Sequence, residues 1–318
     1  LAAENVYDDD WINRNFIFKN VDVNENSTLE VNRNVSSLTS HVNVKSNGVL
    51  NLGVLEGSEI YIRSDTTGVV NKNTLTKEGY ESIPSIFLNG NVTLNNEASA
   101  NVYDKQAVVN GDITNAGSLK LSKSLTGNDI GILTINGNYV GAGGVIHIGT
   151  TLATDDSPTD KLVINGNASG YSRVHVENFG GLGAKTIEGI KIIDVNGMSS
   201  AKFELDGRVV AGAYEYFLNK GGITNYTDGD WYLSTQKNQR RPEAASYLAN
   251  LTASNTMFVS ELKDRLVNTQ YVSPITNTVK NSTLWTTAKG SQKEFKDDSG
   301  NLNTKDKTHV FQIGTDLI

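Results

Sequence analysis

Short alternations of apolar and polar residues run along the chain. Leu29-Glu30-Val31, Val42-Asn43-Val44, Val49-Leu50-Asn51-Leu52 and Ile60-Tyr61-Ile62 alternate over three or four residues, between polar stretches of Asn, Ser and Gly. A period of two over so short a run predicts very short strands with one buried face. From residue 86 the alternation takes a repeated form. IFLNGNVTL, VVNGDITNAGSLKL, LTINGNYVGAGGVIHI and LVINGNASGYSRVHV each carry an Asn-Gly pair, with glycines at 90, 111, 137 and 166. The steps of 21, 26 and 29 residues are irregular, yet each fits one turn of a solenoid.

An Asn-Gly pair between two strands is also the strongest short-range hairpin signal, because a type I′ turn needs positive φ at both central residues. A hairpin would pair its strands antiparallel across Asn136-Gly137; a solenoid would pair successive copies in parallel. A second turn favours the solenoid. Ala116-Gly117, Gly143-Gly144 and Ser169-Gly170 each follow an Asn-Gly pair and precede Leu119/Leu121, Ile146/Ile148 or Val174/Val176. Strand, corner, strand, corner describes a β-helix rung. Six to eight rungs over residues 1–160, each rising about 4.8 Å, would make a rod roughly 30–40 Å long. Its end would be an unpaired edge needing a cover.

Residues 162–235 offer one. Lys191-Ile192-Ile193-Asp194-Val195, Lys202-Phe203-Glu204-Leu205, Tyr214-Glu215-Tyr216-Phe217-Leu218 and Trp231-Tyr232-Leu233 form a denser series of strands, rich in aromatics, as a larger capping core would be. A β-sandwich is the plainer alternative. The next stretch, residues 240–266, predicts a helix. Pro242 suits its first position and Glu243 its positive end, and Ala244, Leu248, Leu251, Asn255, Phe258, Leu262 and Arg265 step by three and four. About 25 residues would span roughly 37 Å, slightly more than a hydrocarbon core. Beyond it, Leu284 to Lys289 and Thr308 to Ile318 predict two more strands, with polar residues 292–307 as the loop between them.

Composition agrees. With 30 Gly, 4 Pro and 37% hydrophobic residues in 318, many short strands and tight turns are expected. A net charge of -7 without a Lys/Arg cluster argues against a nucleic-acid partner. No cysteine is present, so disulfides and thiolate metal sites are excluded. The opening Leu1-Ala2-Ala3-Glu4 lacks the features of a signal peptide, and the chain is expected to be an internal fragment.

Candidate chemistry is sparse. His147 and His175 fall in matching rungs, where stacked imidazoles could hold a metal or simply line a solvated face; His41 and His309 stand apart. Asp155/Asp156/Asp160 and Asp8/Asp9/Asp10 could gather a cation, with a solvated loop as the competing reading. Gly180-Gly181-Leu182-Gly183 lacks the Lys-Ser/Thr of a phosphate loop, Asp298-Ser299-Gly300 reads as a turn, and no G-x-S-x-G occurs. No catalytic residue, cofactor or metal site is expected.

The run LVINGNASGYSRVHVENFGGLGAKTIEGIKIIDVNGMSSAKFELDGRVVAGAYEYFL, closed by Trp231-Tyr232-Leu233-Ser234, resembles the C-terminal passenger region of pertactin-like, adhesin-type bacterial autotransporters. The resemblance covers about 75 residues and rests on the turn at Gly166, the string Gly189 to Val195, Gly212-Ala213-Tyr214-Glu215-Tyr216, and Trp231-Tyr232-Leu233. It implies an all-β chain: a right-handed parallel β-helix over 1–160, an autochaperone cap over 161–236, a linker with a pore helix over 237–270, and the first strands of a transmembrane β-barrel over 271–318. The cap's folding core would comprise Gly189, Ile190, Phe203, Leu205, Gly212, Tyr214, Tyr216, Trp231, Tyr232 and Leu233. Pro242, Leu248, Leu251, Phe258, Leu262 and Arg265 would mark the pore helix. The implied function is a surface-displayed adhesin or aggregation factor whose autochaperone promotes folding during translocation, not an enzyme. Its implied partners are its own barrel, the outer membrane, the barrel assembly machinery and periplasmic chaperones. Two rivals stand beside it: a stalk for an upstream protease or esterase, and a secreted polysaccharide-binding β-helix.

Overall fold

A computed structural model of the chain describes residues 15–31, 37–53, 59–63, 70–74, 86–103, 106–121, 130–235, 242–256, 269–282, 284–296 and 303–315. They divide into two compact units, Leu1–Gln236 and Lys237–Ile318.

The first unit is a parallel β-solenoid of three sheets. In its first sheet the start of Asn15–Val23 pairs with the start of Ser37–Val44, followed in order by Ile86–Asn89, Gln106–Val109, Ile132–Ile135, Lys161–Ile164 and Ile190–Val195, every pairing parallel. The second and third sheets stack the remaining strands of each rung in the same way. Alternation dictates which side chains point inward. Leu88, Val109, Ile135, Ile164 and Val195 form one buried column, and Leu50, Ala100, Leu119, Ile146 and Val174 another. Burying such side chains stabilises by about 1.5–3 kcal/mol each before chain entropy is counted.

The Asn-Gly pairs are corners between the first and second sheets, not hairpin turns. Ile135 pairs in parallel with Ile164, and Tyr139 with Ala168, on either side of the corner. Each of the three corner positions has its own task. The leading asparagines form a ladder, the amide of Asn110 donating to Asn89, Asn136 to Asn110, Asn165 to Asn136 and Asn196 to Asn165, at 2.6, 2.5, 2.6 and 2.9 Å. The glycines lie so close that a Cβ on Gly111, Gly137, Gly166 or Gly197 would collide with the carbonyl of the glycine one rung below. The third residue offers its side-chain oxygen to a backbone N–H of the next rung, from Asn91 through Asp112 and Asn138 to Asn167. Asn196-Gly197-Met198 is therefore a further copy, one the opening pattern does not include, and Met198 ends the third row because it has no acceptor to offer.

The close-packed corner has no room for insertions, so differences in rung length accumulate elsewhere. The longest falls between Val49–Leu52 and Ile86–Asn89, where Glu59–Arg63 and Val70–Thr74 pair antiparallel as a two-stranded sheet of their own. Two second-corner expectations change. Gly143-Gly144 and Gly170 lie inside the continuous strands Tyr139–Thr150 and Ala168–Asn178, with a register shift between Ala142 and Val145.

Residue 160 marks no change in pairing. Lys161–Ile164, Ala168–Asn178 and Lys202–Leu205 continue the parallel stack. Antiparallel pairing begins with Val209–Ala211 against Tyr214–Lys220, which in turn pairs with Trp231–Ser234. Trp231–Ser234 then pairs antiparallel with Ile190–Val195. The last first-sheet strand thus has its outer edge covered.

In the second unit the helix Pro242–Thr256 is followed by an antiparallel pair, Thr269–Val272 with Val279–Ser282, and a longer one, Leu284–Lys296 with Asn303–Thr315. The longer pair corrects the expected loop over 292–307: Lys293 faces Asp306 and Glu294 faces Lys305, opposite charges that support strands in a polar stretch. The shorter pair was not foreseen, its strands being only four residues each.

Candidate functional site

The end of the solenoid is where the sequence concentrates its aromatics. Ile190, Phe203, Tyr216, Trp231, Tyr232 and Leu233 are all buried, while Leu205 and Tyr214 are partly buried against the same core. Three rings connect the last rungs to the closing strand. Phe203 lies 5.9 Å from Tyr139 and meets Trp231 edge-on at 5.2 Å, an arrangement that adds about 0.5–1.5 kcal/mol per pair beyond burial. Tyr139 is fully buried, with its hydroxyl 2.8 Å from Ser172 Oγ and accepting from the Asn115 amide at 3.1 Å. Burial, only partly opposed by those bonds, pushes its pKa up to about 12.

Tyr216 secures the loops rather than the rungs. Its hydroxyl accepts the Ala184 N–H at 3.0 Å and lies 2.9 and 3.0 Å from the carbonyls of Ala153 and Ala184. Gly189 and Gly212 adopt positive φ, 115° and 52°. A Cβ on Gly212 would strike the Leu182 carbonyl, and one on Gly189 would crowd Tyr232, so both close approaches need glycine.

Buried and partly buried polar groups complete the closure through pairings that sequence reading did not foresee. Thr186 and Thr235 exchange backbone-to-hydroxyl bonds of 2.9 Å. Asp230 accepts from the Val195 N–H at 2.8 Å and pairs with Lys191 at 2.7 Å. Burial, the largest single influence, would lower the Lys191 pKa, but the bond to Asp230 and the charges of Asp230, Asp194 and Tyr232 together outweigh it and raise it. Tyr232 donates to Asp228 at 2.7 Å, and burial together with that carboxylate raises its pKa. Thr186, Asp228, Asp230 and Thr235 stand in no motif, whereas Lys191 and Tyr232 do; the pairings are found only by seeing what lies opposite each residue.

Asp155 and Asp160 are each taken up by backbone N–H groups. The Asp155 carboxylate accepts the N–H groups of Ile187, Glu188 and Gly189, and although burial pushes its pKa up, these bonds prevail and hold it down. Asp160 is fully buried and accepts from Gly131 and Gly149 at 2.7 and 2.6 Å. Asp8, Asp9 and Asp10, like Asp298-Ser299-Gly300, lie outside the described residues. His147 and His175 are register partners with rings 5.2 Å apart. Burial, then His175 and Lys120, lower the His147 pKa to about 4. Among the described residues no group of three or more His, Cys, Asp or Glu is placed to hold a metal ion.

Of the six pore-helix residues, Pro242 and Leu248 fall in the helix, while Phe258, Leu262 and Arg265 lie outside the described residues. Leu251, also in the helix, is 59% exposed, whereas Ala249 is buried. The helix lies against Asn303–Thr315, and two residues of separation put Ala249 and Leu251 on nearly opposite sides. No described helix is long and apolar enough to cross a membrane.

These features define a class: a parallel β-solenoid whose last rung is closed by an antiparallel, aromatic-rich module. Residues 111–218 match the autochaperone domain type 1, and residues 2–122 the second β-solenoid repeat region of the PIC/HAP1/IgA0 group. Together the two matches span residues 2–218, an autotransporter passenger β-solenoid region followed by its autochaperone domain. The chain is 44% identical over 225 residues to the uncharacterized protein YuaQ of Escherichia coli (strain K12), covering 65% of this chain and 16% of that protein. It is 38% identical over 192 residues to the Escherichia coli autotransporter adhesin AIDA-I, covering 58% of this chain and 15% of the adhesin. It is 31% identical over 224 residues to the IgA-specific serine endopeptidase autotransporter of Neisseria gonorrhoeae, covering 61% of this chain and 14% of the peptidase. The chain therefore spans about a sixth of the length of these relatives. Among solved structures it is similar to the Haemophilus influenzae Hap adhesin, at 22% identity and a TM-score of 0.28 over 71% of this chain and 33% of that one; the fold assignment rests on the strand pairing above.

Proposed function

We propose that this chain is the C-terminal part of a surface-displayed passenger, an adhesin or aggregation factor, whose capping module promotes folding as the passenger crosses the outer membrane. The observation that carries this reading is the closure of Ile190–Val195 by Trp231–Ser234. A module that folds first outside the cell would present a rung edge on which upstream rungs pair one at a time, and the apolar surface buried at each step would oppose back-sliding. The similarity to an autotransporter adhesin supports the adhesive task.

Residues 237–270 then act as linker and pore helix and residues 271–318 as the beginning of the barrel. On the long hairpin Leu284, Phe311 and Ile313 are exposed on one face, while Trp285, Gln312 and Gly314 on the other are less so, and this alternation suits a strand with lipid on one side. The partners are the barrel itself, the outer membrane, the barrel assembly machinery and periplasmic chaperones. A second reading, a stalk bearing a catalytic domain elsewhere in the full protein, is favoured by the similarity to an IgA-specific serine endopeptidase autotransporter.

Cells displaying the full protein test the folding role. Trp231→Ala and Tyr214→Ala should slow the appearance of protease-resistant passenger at the surface, read by pulse-chase with added protease. Unchanged resistance in both variants would remove the cap from folding. Adherence and autoaggregation assays on the same cells, beside a peptidase assay, separate adhesin from stalk.

A further inference from the structure

Asn-Gly is the dipeptide most prone to spontaneous loss of the asparagine amide, and this chain carries six: Asn47-Gly48, Asn89-Gly90, Asn110-Gly111, Asn136-Gly137, Asn165-Gly166 and Asn196-Gly197. The fold treats them unequally. Five are corner residues of the ladder, where each asparagine side chain is bonded to its neighbour. In the upper three of these pairs the glycine N–H donates to the glycine carbonyl one rung below, at 3.0 to 3.1 Å. The sixth shares a bonded glycine N–H, Gly48 donating to the Lys45 carbonyl at 2.9 Å, and differs at its asparagine side chain. Asn47 sits at a turn of another corner with φ of 56°, its side chain exposed and making no hydrogen bond among the described residues.

We propose that Asn47 is the site at which the folded protein undergoes deamidation, and that the corner ladder shields the other five Asn-Gly pairs once the solenoid has formed. The backbone nitrogen of Gly48, losing its proton, attacks Cγ of Asn47. An N–Cγ bond forms, the Cγ–Nδ2 bond breaks, and ammonia leaves with the proton. Water then opens the resulting succinimide at either carbonyl, giving aspartate or isoaspartate. No oxidant or enzyme is required.

At a ladder corner the same reaction would require the asparagine carboxamide to leave its neighbour and swing toward the following nitrogen. The stacked glycines leave no slack for the ring, since even a Cβ would collide there. Reaction at those sites therefore needs the rung to open first, and its rate falls by the opening equilibrium. An isoaspartate formed before folding would add a backbone atom at a corner that tolerates none, so the unfolded chain has a limited chemical lifetime in which to fold. This inference is independent of what the passenger binds.

The test uses the full chain incubated at mildly alkaline pH, folded in buffer and unfolded in urea, with peptide mass spectrometry of each site over time. All six pairs should convert at similar rates in urea. In buffer Asn47 should convert, while the five ladder asparagines should be slower by at least about tenfold, the signature of reaction through rare opening. Ladder sites that convert as fast as Asn47 in the folded protein would overturn the inference, and so would an Asn47 as protected as they are.

Discussion

Tyr216 and His147 are both held in the solenoid by groups far away in sequence, and each makes a separate prediction. Removing the Tyr216 hydroxyl leaves the Ala184 N–H and nearby carbonyls short of a partner in a partly buried loop, so Tyr216→Phe should lower stability by about 0.5–1.5 kcal/mol, measured by urea unfolding of the full chain. His147 titrates against stability. Its pKa in the fold is lowered to about 4, whereas in the unfolded chain it is about 6.5. Between these values the unfolded state binds the more protons, so stability is fully present above pH 6.5 and declines as pH falls toward 4. His147→Gln should flatten that part of a stability-against-pH curve; an unchanged slope would mean the imidazole does not contribute.

The corner is an element whose strength lies in repetition. A neutral amide bond contributes only about 0.5–1.5 kcal/mol net, and the ladder aligns four of them along one edge. The glycines between have a steric duty instead. Gly166→Ala would drive a methyl into the Gly137 carbonyl, and overpacking of this kind costs about 1–3 kcal/mol. Gly207, by contrast, has open space where a Cβ would lie, although its φ of 104° disfavours side chains. Gly166→Ala should therefore lower the urea midpoint and loosen protease resistance of the rungs on both sides, and a midpoint equal to the parent's would show that the corner can relax.

At the scale of the molecule the cap decides whether the rod ends or continues. Without residues 206–235 the outer edge of Ile190–Val195 would be bare, a flat edge with buried Ile190, Ile192 and Ile193 beside it, and such edges template further pairing. Deleting those residues should convert a discrete species into larger assemblies on light scattering, at concentrations where the parent remains discrete. Persistence of the discrete species would mean that Lys202–Leu205 and its neighbours close the end by themselves.

The sequence alone determined the rungs. Period-two alternation gave strands at Val42-Asn43-Val44 and Val49-Leu50-Asn51-Leu52, because a strand's faces alternate whatever surrounds it, and the recurring Asn-Gly gave the repeat. It also located the aromatic concentration from Phe203 to Trp231. It did not decide between hairpin and corner, since an Asn-Gly pair bends the chain in either case; only the parallel register of Ile135 with Ile164 settles that. Nor could it show that Asn196-Gly197 extends the ladder, that Asp155 sits in a nest of amides, or that Asp230 bridges Lys191 and Val195. Those contacts join residues 31 to 39 positions apart, and a local pattern carries no information about which rung will lie next to which. Tertiary structure supplies it, because the solenoid sets the ladder asparagines and the Asp155 and Asp230 carboxylates against partners on neighbouring turns.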